Sequence, residues 1–183
     1  MKIPQITIHG RFQPPLHINH NNYVMDAFNR AEKVIILITN PYLDEKNVKE
    51  ANHRNNEENN PFTYKERVEI FKNYFNEIGI SPDRYKFKPF DITNEKKWNN
   101  VLNKNTPNLV NVYGDWSEAK VELFRKNGFE VIRTDNPKEI NISGTDIRRI
   151  IRKNTHGEEK RKELIKAGYI PKAVDGLFKI LNK

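Results

Sequence analysis

In the stretch GRFQPPLHINH, Gly10 to His20, an arginine, two prolines and two histidines stand directly behind the first apolar run of the chain. Those residue types suit an anion. Gly10 lets the backbone turn closely, Arg11, His17 and His20 supply donors, and the start of a following helix offers free N–H groups at the positive end of its dipole. His17 and His20 also fit as turn and cap residues, and their spacing alone leaves both readings open. A resident metal is not expected, because the chain has no cysteine and no third ligand accompanies the histidine pair. A second stretch, ISGTDIRR from Ile142 to Arg149, sets Ser143, Gly144 and Thr145 before helix-forming residues, with Arg148 and Arg149 one turn in. A hydroxyl would cap that helix, its free N–H groups would face a phosphate and an arginine would fork onto the oxygens. An ordinary capped basic helix would use the same residues.

The elements that hold these stretches follow from periodicity. IPQITIHG, Ile3 to Gly10, alternates β-branched residues and ends at glycine, as a strand entering a turn does. Tyr23, Val24, Ala27 and Phe28 fall at helical spacing within Asn21 to Lys33, and VIILIT, Val34 to Thr39, is the continuous apolar run of a strand covered on both faces. The polar, asparagine-rich segment from Asn40 to Asn60 reads as a loop. Beyond it, Val68, Ile70, Phe71, Tyr74, Phe75 and Ile78 predict a helix ending at Gly79, with Thr63 and Glu66 as a capping box. RYKFKPFDI, NLVNVYG, FEVIRTD and INIS read as further strands. Helices are expected near Glu95 to Leu102, Glu118 to Asn127, Thr145 to Lys153 and Lys172 to Leu181. This alternation predicts an α/β fold, an open and mostly parallel sheet with helices on both faces, as one domain over residues 1–183. The turn after the first strand is then the favoured phosphate position, since ligands sit outside the carboxyl ends of such strands.

Composition narrows the field. Hydrophobic residues make up 36% of the 183 positions against 31% charged, yet they cluster, which favours a folded core over disorder. A net charge of +8 and a pI near 9.5 suit polyanionic company, but the lysines are scattered, so small phosphorylated molecules are expected rather than nucleic acid. The absence of cysteine excludes disulfides and thiolate chemistry. No run approaches the roughly 20 apolar residues of a membrane span, and no secretory segment opens the chain, so a cytoplasmic place is expected.

The run Gly10, Arg11, Phe12, Gln13, Pro14, Pro15, Leu16, His17, Ile18, Asn19, His20 resembles the nucleotide-binding signature of the nucleotidylyltransferase superfamily: a strand, G-R-F-Q-P-x-H-x-G-H, then a helix. It has one residue more between the first proline and the first histidine, and Asn19 where the family has glycine. ISGTDIRR fits every fixed position of the superfamily's second motif, I-S-x-T-x-I-R. NNPFTYKERVEIF and DRYKFKPFDITNEKKW narrow the likeness, over nearly the whole chain, to the archaeal-type nicotinamide-nucleotide adenylyltransferases.

The resemblance implies a Rossmann-like nucleotidyltransferase domain that joins ATP and nicotinamide mononucleotide into NAD, with Mg²⁺ on the triphosphate and assembly as a homo-oligomer. It assigns the catalytic phosphate contacts to Arg11, His17, His20, Arg67 and Arg148, and further nucleotide binding to Gly10, Phe12, Gln13, Ser143, Gly144 and Thr145. Asp91 and Trp98 would receive the nicotinamide ring, Trp98 reading equally as a core aromatic. Asp115 and Trp116 replace a small Ser-Gly-Asn type turn beside the acceptor and would change the charge and shape of that pocket. Two other functions stay open. A sister cytidylyl- or adenylyltransferase with another phosphate-bearing acceptor is favoured by the altered PPLHINH and GDW segments. A nucleotide-binding protein without turnover is favoured by the extra residue and Asn19.

Overall fold

The computed structural model describes residues 1–39, 59–112, 115–135, 144–154 and 157–182, with only the backbone of Asp115 and Trp116. The expected INIS strand, Ser143 and nearly all of the Asn40–Asn60 loop lie outside the described residues. The chain gathers into two compact units: Met1–Arg11, Asn22–Pro41 and Pro82–Pro137 form the first, and Phe12–Asn21, Tyr42–Ser81 and Lys138–Lys183 the second.

The first unit carries a five-stranded sheet. Strands β1 (Ile3–Gly10), β2 (Ala31–Thr39), β3 (Tyr85–Phe90), β4 (Asn108–Asn111) and β5 (Val131–Thr134) lie in the order β3-β2-β1-β4-β5, every neighbouring pair parallel. Helix α1 (Ile18–Arg30) links β1 to β2, and α3 (Asp115–Lys126) links β4 to β5. The chain steps to one side of β1 in the first crossover and to the other in the second, so crossovers of one hand carry the two helices over opposite faces. The register sets Gly10 beside Ile38 and Thr39 beside Phe90, which brings the carboxyl ends of the strands to one edge. The strand order reverses between β1 and β4, the place where open parallel sheets form their ligand crevice. Beneath α3, Leu37, Phe90, Ile92, Trp98, Leu102, Phe124 and Phe129 make a continuous core.

In the second unit α2 (Tyr64–Glu77) starts at the expected capping box: the Glu66 amide donates to Thr63 Oγ1 at 3.2 Å, and Glu66 Oε2 accepts from the Thr63 amide at 2.8 Å. Its buried face packs on α6 (Pro171–Leu181), where the bare Gly176 lets the helices meet; a Cβ there would stand 3.1 Å from that of Asn73. Between them in sequence come α4 (Gly144–Arg152) and α5 (Gly157–Lys166), tied by Lys160 Nζ donating to the Ile151 carbonyl at 2.9 Å.

Several boundaries differ from expectation. The helix expected over Asn21 to Lys33 runs from Ile18 to Arg30, because Ala31 and Lys33 are taken into the ladder opposite Ile3 and Gln5. The helix near Glu95 is a six-residue 3₁₀ segment, Glu95–Asn100. Helix α5 forms where the sequence pattern predicts no element. Seven of the ten residues in its GEEKRKELIK sequence are charged, and it buries only Lys160 and Leu164.

Candidate functional site

The signature turn bends through two residues that are not glycine. Phe12 and Leu16 have φ of 49° and 67°, left-handed conformations that cost on the order of 1–3 kcal/mol each unless the surroundings hold them. Both side chains are buried, and Phe12 meets the ring of Phe71 edge-on at 5.1 Å. Asn19 lies within the first turn of α1 in right-handed conformation, so a glycine's freedom is not required there.

That backbone places the two histidines together, their rings stacked 3.7 Å apart with 30° between the planes, and His20 meets Phe12 edge-on at 5.0 Å. His17 is 6% exposed, and its main chain pairs with Tyr169 just before α6: Ile18 donates to the Gly168 carbonyl at 2.8 Å and Ile170 to that of Leu16 at 3.1 Å. Burial, and then the positive charge of Arg148, pull the His17 pKa down to about 4. The ring is therefore neutral at pH 7 in the absence of an anion, and an incoming phosphate would raise its affinity for a proton.

Arg148, 3% exposed on α4, completes the cluster. Its Nη1 donates to the Gln13 carbonyl at 2.6 Å, and its Nη2 to Thr145 Oγ1 at 2.8 Å and Asn59 Oδ1 at 3.2 Å. Gly144 opens α4 so close to the turn that a Cβ would stand 3.0 Å from the Gln13 oxygen and 3.1 Å from Arg148 Nη1. Gln13 pairs its side-chain amide with the backbone of Phe62, donating to the carbonyl at 2.6 Å and accepting from the N–H at 3.2 Å. Arg67, fully buried in the first turn of α2, donates through Nε to the Thr63 carbonyl at 3.3 Å. Burial lowers the Arg148 pKa, with Arg152 adding to the effect, yet a guanidinium remains charged at neutral pH.

Contacts thus join Phe12, Gln13, His17, His20, Gly144, Thr145 and Arg148 within the second unit. Asn59 and Phe62 belong to this cluster and were missed, because the asparagine-rich run around the first reads as loop and the second contributes only its backbone. In the first unit, Gly10 ends β1 and Arg11 follows it. Asp91 Oδ1 accepts from the Thr93 amide and hydroxyl at 2.9 and 2.7 Å. Trp98 is 1% exposed, stacks on Phe124 at 4.7 Å and donates Nε1 to the Asp91 carbonyl at 3.2 Å, so the structure places it in the interior. Asp115 and Trp116 begin α3. A buried guanidinium at a helix start is chemically suited to an anion, and among the described residues no three of His, Cys, Asp or Glu group to hold a metal ion.

A five-stranded, all-parallel sheet with helical crossovers defines an α/β protein of the Rossmann-like kind. Residues 7–150 match the family model described as cytidylyltransferase-like, and the chain belongs to that family. It is 34% identical to the phosphonoformate cytidylyltransferase of Streptomyces viridochromogenes over 151 residues, covering 79% of this chain and 78% of that protein. Nicotinamide-nucleotide adenylyltransferases of Saccharolobus solfataricus and Thermococcus kodakarensis are 27% and 30% identical, over 82% and 76% of this chain and 80% and 68% of theirs. A solved bifunctional NMN adenylyltransferase/ADP ribose pyrophosphatase from Francisella tularensis, complexed with AMP and a manganese ion, superposes with a TM-score of 0.59 at 21% identity over 86% of this chain. This chain spans 44% of that protein, and the likeness concerns the fold. The resemblance to nucleotidylyltransferases is borne out, and the chain is an enzyme of the nucleotidyltransferase type. Among the described residues no helix is long and apolar enough to cross a membrane.

Proposed function

We propose that this enzyme transfers the nucleotidyl group of a nucleoside triphosphate to an anionic oxygen of a small acceptor, in the first instance AMP from ATP to nicotinamide mononucleotide. An acceptor phosphate oxygen attacks the α-phosphorus in line. The bond from that phosphorus to the bridging oxygen breaks, and its electron pair leaves with pyrophosphate, NAD being the other product. The acceptor is already ionised at neutral pH, so no protein nucleophile or general base takes part. Mg²⁺ enters with the triphosphate as part of the substrate and offsets its charge. The observation that carries this reading is Arg148, held by Gln13, Thr145 and Asn59 at the start of α4 beside a neutral His17. Arg67, Arg148, His17 and His20 stabilise the charge that spreads over the phosphates as the bond breaks.

A second reading is cytidylyl transfer from CTP to a phosphonate or other phosphate-bearing acceptor. Two observations favour it: the cytidylyltransferase relative at 34% identity, and the interior position of Trp98, which withdraws its ring from stacking on a nicotinamide. Pyrophosphate release with MgATP or MgCTP, each combined with nicotinamide mononucleotide, phosphonoformate or no acceptor, tests both. Release confined to ATP with the mononucleotide, with NAD formed, is the expected result. Release confined to CTP selects the second reading, and nucleotide binding without release in any combination rejects transfer itself.

A further inference from the structure

We propose that Gln13 is a positioning residue: its side chain fixes the signature turn to the entry of α2, and so sets the carbonyl that aims the Arg148 guanidinium. The inference deepens the nucleotidyl-transfer reading and rests on it for its kinetic part. Gln13 is 3% exposed, and its amide both donates to and accepts from Phe62, directly before the Thr63 cap of the helix that carries Arg67. That pairing commits one N–H and the carbonyl oxygen of the amide to the Phe62 backbone. Its own backbone carbonyl is the 2.6 Å acceptor of Arg148 Nη1, and the same oxygen is the atom that the missing Cβ of Gly144 leaves room for. One residue therefore ties the signature turn to the start of α2 on one side and the start of α4 on the other. The tie is needed because the turn is locally unfavourable: Phe12 precedes Gln13 at φ 49°, Leu16 follows at φ 67°, and such backbone persists only where tertiary contacts hold it. The chemistry suits an amide, which among side chains of this length keeps an N–H donor and a carbonyl acceptor side by side at every pH.

The test compares wild type, Gln13→Leu, Arg148→Lys and the double variant, all confirmed folded at the assay temperature by circular dichroism. Gln13→Leu keeps the volume and removes both bonds. We expect kcat to fall on the order of 100-fold, as a displacement of about 1 Å in a transition-state contact produces, and the double variant to be little worse than Arg148→Lys alone. Without any substrate, amide hydrogen exchange should rise together over residues 59–63 and 144–148. A loss confined to the KM for the triphosphate would show direct nucleotide contact and overturn the proposal, as would multiplicative effects in the double variant or unchanged exchange in either segment. If Gln13→Leu does not fold, Gln13→Asn, which keeps the amide but withdraws it by one methylene, is read by the same criteria. If the wild type transfers nothing, the function reading fails by itself, and the exchange measurement still decides the role of Gln13.

Discussion

His17 and His20 share a stack but carry different predictions. His17 is buried beside Arg148, and its native pKa of about 4 lies below the 6.5 of an unfolded histidine. Above pH 6.5 the imidazole is neutral in both states and adds no pH dependence. Between 6.5 and 4 the unfolded chain takes a proton that the folded chain refuses, so stability falls as pH falls through that window, by roughly 3 kcal/mol for this residue. His9, stacked on Phe124 at 4.8 Å, is shifted downward as well, by burial first and Lys120 second, and loses stability in the same direction. Urea unfolding at pH 7 and pH 4.5, with the difference between wild type and His17→Gln isolating one ring, measures the effect; equal slopes in the two proteins would show that His17 takes its proton in the folded state. His20 lies against Phe12 and is assigned to the phosphates. His20→Ala should keep the fold and lower the rate of pyrophosphate release by about 100-fold or more, and an unchanged rate would remove it from the mechanism.

Among the elements, α4 is the one whose start is most tightly constrained. Gly144 is present for space rather than for φ, because a methyl group would meet the Gln13 carbonyl at 3.0 Å, closer than ordinary packing allows. Gly144→Ala should therefore shift the start of α4 or break the Arg148 contact, lowering kcat on the order of 10- to 100-fold with little change in melting temperature; wild-type kinetics would mean that the helix start yields freely. Thr63→Ala removes half of the α2 capping box and should cost about 1 kcal/mol in chemical denaturation. These two helices also show what the sequence makes legible. A capping box is local, four residues long, and its outcome at Thr63 and Glu66 follows from residue types alone. The start of α1 is not local: Ile18 is held by the Gly168 carbonyl, and its end is set where Ala31 pairs with Ile3. Within the site, residue types reveal the donors but not how they are aimed. The bonds from Gln13 to Phe62 and from Arg148 to Gln13 span 49 and 135 positions, and no pattern of spacing announces them. Trp98 illustrates the same limit, since a tryptophan near a strand end has one composition whether its ring faces a ligand or Phe124.

For the whole molecule, the net charge of +8 is the setting for a more particular feature, the burial of Arg67 and Arg148. A buried guanidinium is costly unless its charge is answered, and the contacts described for Arg148 are to neutral oxygens. The folded protein should therefore gain most from a polyphosphate, less from a monophosphate and least from the nucleoside. A ligand that binds only the folded state at 100 times its Kd adds about 2.7 kcal/mol, which for a chain of this size raises Tm by about 5–10 °C. Added ligand should raise the midpoint of the calorimetric transition. Calorimetry with pyrophosphate, AMP, adenosine, ATP and CTP, each with Mg²⁺, separates the terms. A shift by pyrophosphate and by both triphosphates, absent with adenosine, would assign the stabilisation to the phosphate cradle. A larger shift with one triphosphate than the other would report the base, and equal shifts with adenosine and ATP would place the dominant contact away from Arg148.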